Sequence, residues 1–420
     1  MFLVAIIPGP DKPSLSDINH ALDLVVDDLL EFWSPGVWFS RTANCCLGKL
    51  NRAMLVPLVS DMLAARQAAG YGSATSKYFC TCCRLEISDI ENLDKESWPS
   101  RSHEEDKCYA EIFRDATSLS EQDALFKKHG IRWSSLYRLP YWNPRLCVAV
   151  DSMHALDLGL IQTHCREAWG ISVSIDGGDG TALQSDEVTP RPSDDDMALW
   201  LGKVRENPSN LRNILSGRNC PKPVLWYICR DNNLRYAGTK KQLANAIVDI
   251  MEAIREDMAS TVLPSWVSMA PRDWGTTKRG KLSANNWRVI ATIHLPITLI
   301  RLWGGKDATE RQRDMLNNFI DLLYAVQLAN LREVSLHHIA LYQKHMRRYL
   351  EEYKSLYKDA RIKPIHHIAQ HIDDFLFLFG PNHAHSAPFY ERHIHVLQEQ
   401  NFNNKFGTLY VPDPRLRAGR

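Results

Sequence analysis

Apolar and polar positions alternate in two different ways along this chain, and near its start they predict strands followed by helices. The run FLVAIIPGP predicts a buried strand that stops at a Pro-Gly turn, and Ser14 or Ser16 then caps a helix with one apolar stripe. Residues 52–72 predict a second strand, near a sheet edge because it contains a proline, and a helix that begins just after Asp61. An acidic side chain is therefore expected at the carboxyl end of a strand.

The pattern changes over residues 94–363, where charged segments of helical period carry tryptophans and are separated by polar loops. Thr309 and Gln312 form a capping-box pattern that opens a long helix, and Ser335 can cap a second one that reaches about Lys358. We expect these two helices to pack as a hairpin. The centre of the chain is therefore predicted to be mainly helical.

Composition excludes several classes of protein. With 420 residues, 45% of them hydrophobic, the chain can bury a sizeable core as two or three domains or as one domain with a large insertion. Its net charge of +1 gives no global attraction to nucleic acid. The opening apolar run is too short for a signal peptide or a membrane span, so a soluble intracellular protein is expected. Ten cysteines are spaced poorly for disulfides and fit a reducing compartment with one metal knuckle.

The stretch YFCTCCRL contains the spacing of half a zinc site. Cys80 and Cys83 form a C-x-x-C pair, which lets one turn present two sulfurs to a metal, and Cys82 can substitute for either neighbour. The other dense group of possible ligands is IHHIAQH, residues 365–371, whose second His, His367, lies four residues before His371 and shares its face of a helix. The preceding histidine, His366, would need an irregular turn. Three small buried cysteines and an unrelated histidine-rich helix are the alternative.

Two further segments carry possible chemistry. Asp151 and His154 follow an apolar run, so they are candidates for an acid and a base held together, although the aspartate can equally cap the next helix. Residues 223–250 predict helix, loop and helix, with Lys240 and Lys241 at a helix N-terminus. Backbone amides there can hold a DNA phosphate while the lysines neutralise it, and a plain helical hairpin is the alternative.

The order of motifs along the chain resembles one protein family. The motifs are FLVAIIPGPDKPS, the Asp61 strand end with its DMLAARQAAG helix, the cysteine knuckle, DSMHALDLGL, LPSWVSMAPRDWG, KLSANNWRVI, HHIAQH and FYER. Together they resemble the Tnp2 family of CACTA-type (En/Spm) DNA transposases in its fungal form, over roughly residues 2–407. Each motif alone is weak, and their order and spacing make the resemblance specific.

The resemblance implies a fold and its division. The fold is α/β, a ribonuclease-H-like core of the DDE transposase type interrupted by a large, mainly α-helical insertion. Residues 1–93 would be the first part of the core, residues 94–363 the insertion, residues 364–407 the second part and residues 408–420 a divergent tail. A structural zinc would join the two parts through Cys80, Cys83, His371 and either His366 or His367. The hairpin at 223–250 would be a SAP-like DNA-binding element.

The resemblance also implies an activity. Two magnesium ions, held by two aspartates and a glutamate, would align an attacking hydroxyl with a DNA phosphate. Water would nick the transposon end, and the freed 3′ hydroxyl would attack target DNA. By position, Asp61 would be the second carboxylate and Glu391 the third. The expected partners are transposon-end DNA and, as a homo-oligomer, other copies of the chain. The expected location is the nucleus, with no membrane contact.

This sequence departs from the family pattern at both ends. The first catalytic aspartate would lie on a strand upstream of FLVAIIPGP, for which Met1 leaves no room, and Arg392 is followed by His393-Ile394-His395 instead of Phe-Asn-Gly. We therefore expect an N-terminally truncated, catalytically incomplete transposase. The alternatives are a non-catalytic, zinc-organised scaffold that binds DNA or protein, and a metallohydrolase that uses Asp151 and His154.

Overall fold

The computed structural model describes residues 13–14, 16–169, 192–206, 220–231, 253–272, 274, 282–357 and 360–398. Most of these residues are helical. Within these ranges the one sheet is an antiparallel hairpin of two short strands, β1 (Val37–Phe39) and β2 (Lys49–Asn51). The chain divides into two units, residues 1–386 and residues 387–420.

The α-helices of the first unit are numbered in chain order. They are α1 (Ile18–Trp33), α2 (Met62–Ala69), α3 (His103–Asp115), α4 (Leu119–His129), α5 (Pro144–Cys147), α6 (Asp194–Glu206), α7 (Lys222–Asp231), α8 (Ala284–Val289), α9 (Leu295–Trp303), α10 (Glu310–Ala329), α11 (Leu336–Leu356), α12 (Pro364–Ala369) and α13 (Ile372–Phe379). Three segments are π-helical: Met153–Ile161, His164–Ala168 and Ile290–His294. The second unit contains α14 (Pro388–Gln398).

A smaller core lies in the N-terminal part of the first unit. Its buried side chains come from α1, α2, α3 and the segment between α4 and the end of α5, and include Val26, Ala65, Ile131 and Trp142. The predicted helix after Asp61 is present as α2. Of the strand predicted before it, only Leu58 pairs, in an isolated parallel bridge with Val148. The adjacent Pro57 has no N–H to donate, so the ladder cannot continue through that residue.

A larger core contains the helices from α8 to α13 and the π-helix Met153–Ile161. Its longest elements, α10 and α11, are the two helices predicted from their caps: Thr309 and Gln312 form a complete capping box, and the Ser335 hydroxyl accepts the His338 N–H. The two helices pack as the expected hairpin, in which the Asn318 side-chain amide donates to the Tyr349 carbonyl at 2.9 Å.

The predicted mainly helical character is therefore observed, whereas the described residues contain no sheet large enough for a ribonuclease-H-like core. The first predicted strand, within residues 1–12, and the tail at 408–420 lie outside the described residues. The cysteine knuckle and the histidine helix belong to the larger core, and this is where the candidate site lies.

Candidate metal centre

Four possible metal ligands from the two ends of the first unit lie together. One ligand atom each from Cys80, Cys83, His367 and His371 falls within 4.8 Å of all the others, and all four residues are buried. The shortest link joins Cys83 Sγ to His367 Nε2 at 3.2 Å, between residues 284 positions apart. The chain therefore brings the two half-sites predicted from the sequence into one group.

The cysteine half is an irregular turn held by backbone contacts. Within the turn, the Cys82 N–H donates a hydrogen bond to Cys80 Sγ at 3.3 Å. The Arg101 guanidinium donates twice to the Cys80 carbonyl, at 2.9 and 2.7 Å, and itself pairs with the buried Asp106. Arg101 therefore fixes the turn through the Cys80 carbonyl, and the Cys80 sulfur adds one contact of its own.

The histidine half lies where two helices meet. Pro364 is the first residue of α12, where its missing N–H costs nothing, and places His367 one turn into the helix. His371 lies at the junction with α13, and its Nδ1 is 2.9 Å from an Asp374 carboxylate oxygen. Within the described part of the chain, His371 Nε2 is buried and has no hydrogen-bond partner. That nitrogen is the one left for a metal.

Aromatic rings enclose the imidazoles. The Trp98 ring centroid lies 4.1 Å from that of His367 and 5.3 Å from that of His371, and Phe79 meets His367 edge-on at 4.8 Å. Phe79 and Trp98 belong to the cysteine side of the site and are themselves buried. The segment that supplies the thiols therefore also keeps water away from the histidines.

Burial and mutual contacts shift the pKa values of all four side chains in the group. Burial opposes ionisation of Cys80, but hydrogen bonds from Cys82 and Cys83 and the positive charge of His371 hold its thiol pKa well below the ordinary value. The hydrogen bond with Cys80 and burial raise the pKa of Cys83. Burial also disfavours charge on His371, yet the Cys80 thiolate and Asp374 outweigh it and raise the pKa of His371 to about 9. The pKa of His367 is lowered, mainly by burial.

The structure distinguishes the two candidates for the third ligand. His367 belongs to the group of four, whereas His366 faces another neighbourhood: its Nδ1 accepts the Lys363 N–H at 2.9 Å, and its ring lies 5.0 Å from that of Tyr353. Burial lowers the pKa of His366 to about 3. Cys82, the possible substitute ligand, is buried beside the group but is not one of its four members.

The donor set fits a structural zinc. Zinc takes thiolate and imidazole ligands in a tetrahedron, in which neighbouring ligand atoms are about 3.3–3.8 Å apart. A group within 4.8 Å reaches that spacing by small side-chain movements. The unpartnered His371 Nε2 also fits, because a metal would satisfy an otherwise orphaned buried atom. Four protein ligands leave no open position for a substrate, so the arrangement suits structure and not hydrolysis.

The two predicted catalytic carboxylates lie in different units. Asp61 is exposed and is the N-cap of α2, where its carboxylate accepts the Ala64 N–H at 2.8 Å. Glu391 lies in the first turn of α14, within residues 387–420. Asp61 therefore has a local structural role, and its membership of a catalytic site stays a prediction, as does that of Glu391.

Asp151 and His154, the candidate acid and base, lie in contact with each other. Asp151 is buried, and one of its carboxylate oxygens lies 2.8 Å from His154 Nδ1 and accepts the His154 N–H at 2.9 Å. Both the acid–base contact and the helix-capping contact are thus present in the same pair. Of the predicted DNA-binding hairpin at 223–250, α7 covers the beginning, while Lys240 and Lys241 lie outside the described residues.

Sequence reasoning missed three residues that shape the metal group. Trp98 covers both histidines, Asp374 contacts His371, and Lys95 contacts Asp374 at 3.1 Å. Asp374 carries a usable signal, since an acid three residues after a histidine can reach its ring. Trp98 and Lys95 carry none, because their contacts join segments far apart in the chain.

Comparison with known proteins does not assign the chain to a family. No protein family matches the chain, and no curated protein matches it either. Among the described residues, no helix has the length and apolar character needed to cross a membrane.

Proposed function

We propose that this chain is a transposase-derived protein of the Tnp2/CACTA type, in which a structural zinc joins the segments on either side of a large helical insertion. The observation that carries the proposal is the meeting of Cys80 and Cys83 with His367 and His371. The resemblance implied this particular long-range pairing. A chance set of cysteines and histidines would have no reason to converge from positions 284 residues apart.

The choice of zinc rests on ligand chemistry. Two thiolates and two imidazoles in a buried, four-coordinate group favour zinc over magnesium or calcium, which take oxygen ligands. The metal would be structural, since it would tie the turn at Cys80–Cys83 to α12 and stabilise the packing around Trp98. Folding and metal binding would then be coupled.

DNA binding and a catalytic ancestry follow from the same proposal. Lys240 and Lys241 would contact phosphates, and Asp61 and Glu391 would be the remaining carboxylates of the magnesium site. Asp61 is already engaged as the N-cap of α2, and His393-Ile394-His395 stands where the family has Phe-Asn-Gly, so we propose that this polypeptide alone does not join DNA strands. The proposed location is the nucleus, and the proposed assembly is a homo-oligomer on paired DNA ends.

Zinc content tests the structural part of the proposal. We expect one zinc per chain in purified protein by elemental analysis, and its loss in Cys80→Ser and His371→Ala. Cys82→Ser and His366→Gln are matched controls, because each changes a neighbouring residue outside the group of four. Well-folded wild type without zinc, or equal loss in the controls, would contradict the proposed clasp.

DNA experiments test the functional part. We expect a salt-sensitive mobility shift that is weakened by Lys240→Glu together with Lys241→Glu, because phosphate contacts release counterions. We expect no magnesium-dependent nicking. Cleavage abolished by Glu391→Gln would show a competent enzyme and overturn the proposed catalytic incompleteness.

A non-catalytic scaffold is the second candidate. The observation that favours it is Asp61, whose exposed carboxylate caps α2 as an ordinary N-cap does. A zinc-loaded protein that shifts no DNA at low salt would support a scaffold for protein partners and exclude the DNA-binding proposal.

A further inference from the structure

A second set of contacts joins the two halves of the metal group without using its ligands. Lys95, in the turn Lys95–Ser97 on the cysteine side, places its ammonium 3.1 Å from Asp374 and 2.6 Å from Asp373. The same ammonium donates to the Gln370 carbonyl at 3.1 Å. Asp374 is the carboxylate that contacts His371. A continuous path therefore runs from the cysteine side through Lys95 and Asp374 to a metal ligand.

We propose that Asp374 and Lys95 are positioning residues for the metal ligand His371, with Lys95 acting through Asp374. The inference rests on the proposed function as a metal clasp and adds the residues that set one ligand before the metal arrives. Neither residue would touch the metal.

Asp374 selects the nitrogen that faces the metal. A carboxylate 2.9 Å from Nδ1 accepts a hydrogen from that atom, so the neutral imidazole carries its proton on Nδ1 and keeps the Nε2 lone pair free. Nε2 is also the buried atom without a partner. The carboxylate additionally makes the imidazole a stronger donor to a cation. Tautomer, ring orientation and donor strength thus depend on one contact.

Lys95 holds that carboxylate in place. The Asp374 side chain is 48% exposed, so by itself it is free to turn toward water and lose His371. The ammonium is fixed by the Asp373 carboxylate, which is 1% exposed and also accepts the Gln343 side-chain amide at 2.6 Å. Asp373 Oδ1 accepts the Asp374 N–H at 2.8 Å as well. Each group in the path is therefore anchored by a more buried one.

The path also prepares the site. Because Lys95 lies on the cysteine side and Asp373 and Asp374 lie on α13, the two halves stay in contact in metal-free protein. A ligand that is already oriented loses less conformational freedom on binding, and this raises affinity. A cleft of about 430 Å³ borders Lys95, Asp374 and His371, and it gives solvent access to the outer side of the path.

Metal affinity is the test. We expect Asp374→Ala to weaken zinc binding by about tenfold to a hundredfold, as loss of such a carboxylate partner typically does. Lys95→Met should weaken binding in the same direction, and the double variant should lose less than the product of the two effects, because both act on His371. Zinc dissociation constants are measured by competition with a chromophoric chelator, and bound cobalt(II) reports ligand geometry by its visible spectrum.

Two further variants keep the test sharp. Asp374→Asn retains an oxygen that can accept from Nδ1 and should recover part of the affinity. Lys354→Met removes another ion pair between distant segments, Lys354 with Glu91 at 3.0 Å, which contacts no ligand, and should leave zinc affinity unchanged. If Asp374→Ala fails to fold, Asp374→Asn and Lys95→Met carry the measurement.

The outcomes separate this inference from the proposed function. Wild type that binds no zinc would overturn the proposed clasp itself. Wild type that binds zinc while Asp374→Ala binds it equally well, with the same cobalt spectrum, would overturn only the positioning role. Equal thermal destabilisation of zinc-loaded and chelator-treated Asp374→Ala would likewise assign the residue a purely structural part.

Discussion

The cysteine–histidine group and Asp61, the N-cap of α2, are both sites that the sequence predicted, but they differ in how the structure holds them. The group of four joins residues from distant parts of the chain in a buried place where their atoms have few other partners. Asp61 is exposed and already satisfied by the adjacent helix. Four ligand residues that come together from distant positions call for a common cause, such as a metal, whereas a helix cap is explained by its own helix. The metal clasp therefore carries the proposed function, and the carboxylates depend on it.

Removal of the metal should have the largest effect. Zinc at a thousandfold excess over its dissociation constant stabilises the folded state by about 4 kcal/mol, and a chelator should remove that stabilisation. Cys83→Ala should abolish the dependence on zinc, whereas Cys46→Ala changes an exposed cysteine and should not. Denaturant unfolding with and without zinc measures both. Identical unfolding curves with and without zinc would show that the buried group does not stabilise the fold through a metal, which would contradict the proposed clasp.

Truncation of the aromatic cover should have an effect of similar size. Trp98→Ala removes the ring that contacts both His367 and His371, and truncation of a buried tryptophan costs about 3–5 kcal/mol. Trp266→Ala is the control, because that side chain is 84% exposed and its loss should change stability by less than about 0.5 kcal/mol. Similar free energies of unfolding for the two variants would contradict the enclosure of the site.

Metal affinity should depend steeply on pH. At neutral pH without metal, Cys83 and His371 both carry protons, because the pKa of each is raised, whereas the pKa of the Cys80 thiol is lowered. Zinc must displace about two protons, so the free protein holds more protons than the loaded one and affinity rises with pH. We expect the dissociation constant to fall continuously as the pH rises from 6 to 8. Independence of pH would show that the charges are assigned wrongly.

The smallest effect should come from Asp61. Asp61→Ala removes a helix cap and should cost about 1 kcal/mol, while Asp61→Asn keeps an acceptor and should be nearly neutral. A residue that holds catalytic magnesium would behave differently, because the asparagine would abolish any metal-dependent nicking while stability stayed the same. Stability and nicking measured on the same two variants show which description applies.

The sequence was informative where a pattern has a local physical cause. Thr309, Gln312 and Ser335 predicted their helix starts because capping contacts span three residues. His367 and His371 do join one group, but they do not share one helix, because α12 ends at Ala369 and His371 lies at the junction with α13. The choice between His366 and His367 was beyond the sequence, since the rotation of α12 is set by packing against distant residues.

The sequence was least informative about the N-terminal part of the unit. An apolar run before Asp61 predicted a strand, yet the segment makes a single bridge to Val148. Strand formation requires a neighbour with matching hydrogen bonds, and the run itself does not specify that neighbour. The contact of Lys95 with Asp374 was equally hidden, because its partners lie at opposite ends of the unit.

The two half-sites are far apart in the chain, so the ribosome makes the cysteines well before the histidines. At about 5–20 residues per second, a ribosome needs roughly 14–57 s to add the 284 residues that separate Cys83 from His367. Throughout that interval the nascent chain carries three closely spaced thiols without their imidazole partners. Binding of the proposed zinc would consequently be a late event in the synthesis of each molecule, and it would depend on these thiols staying reduced until the histidines have been added.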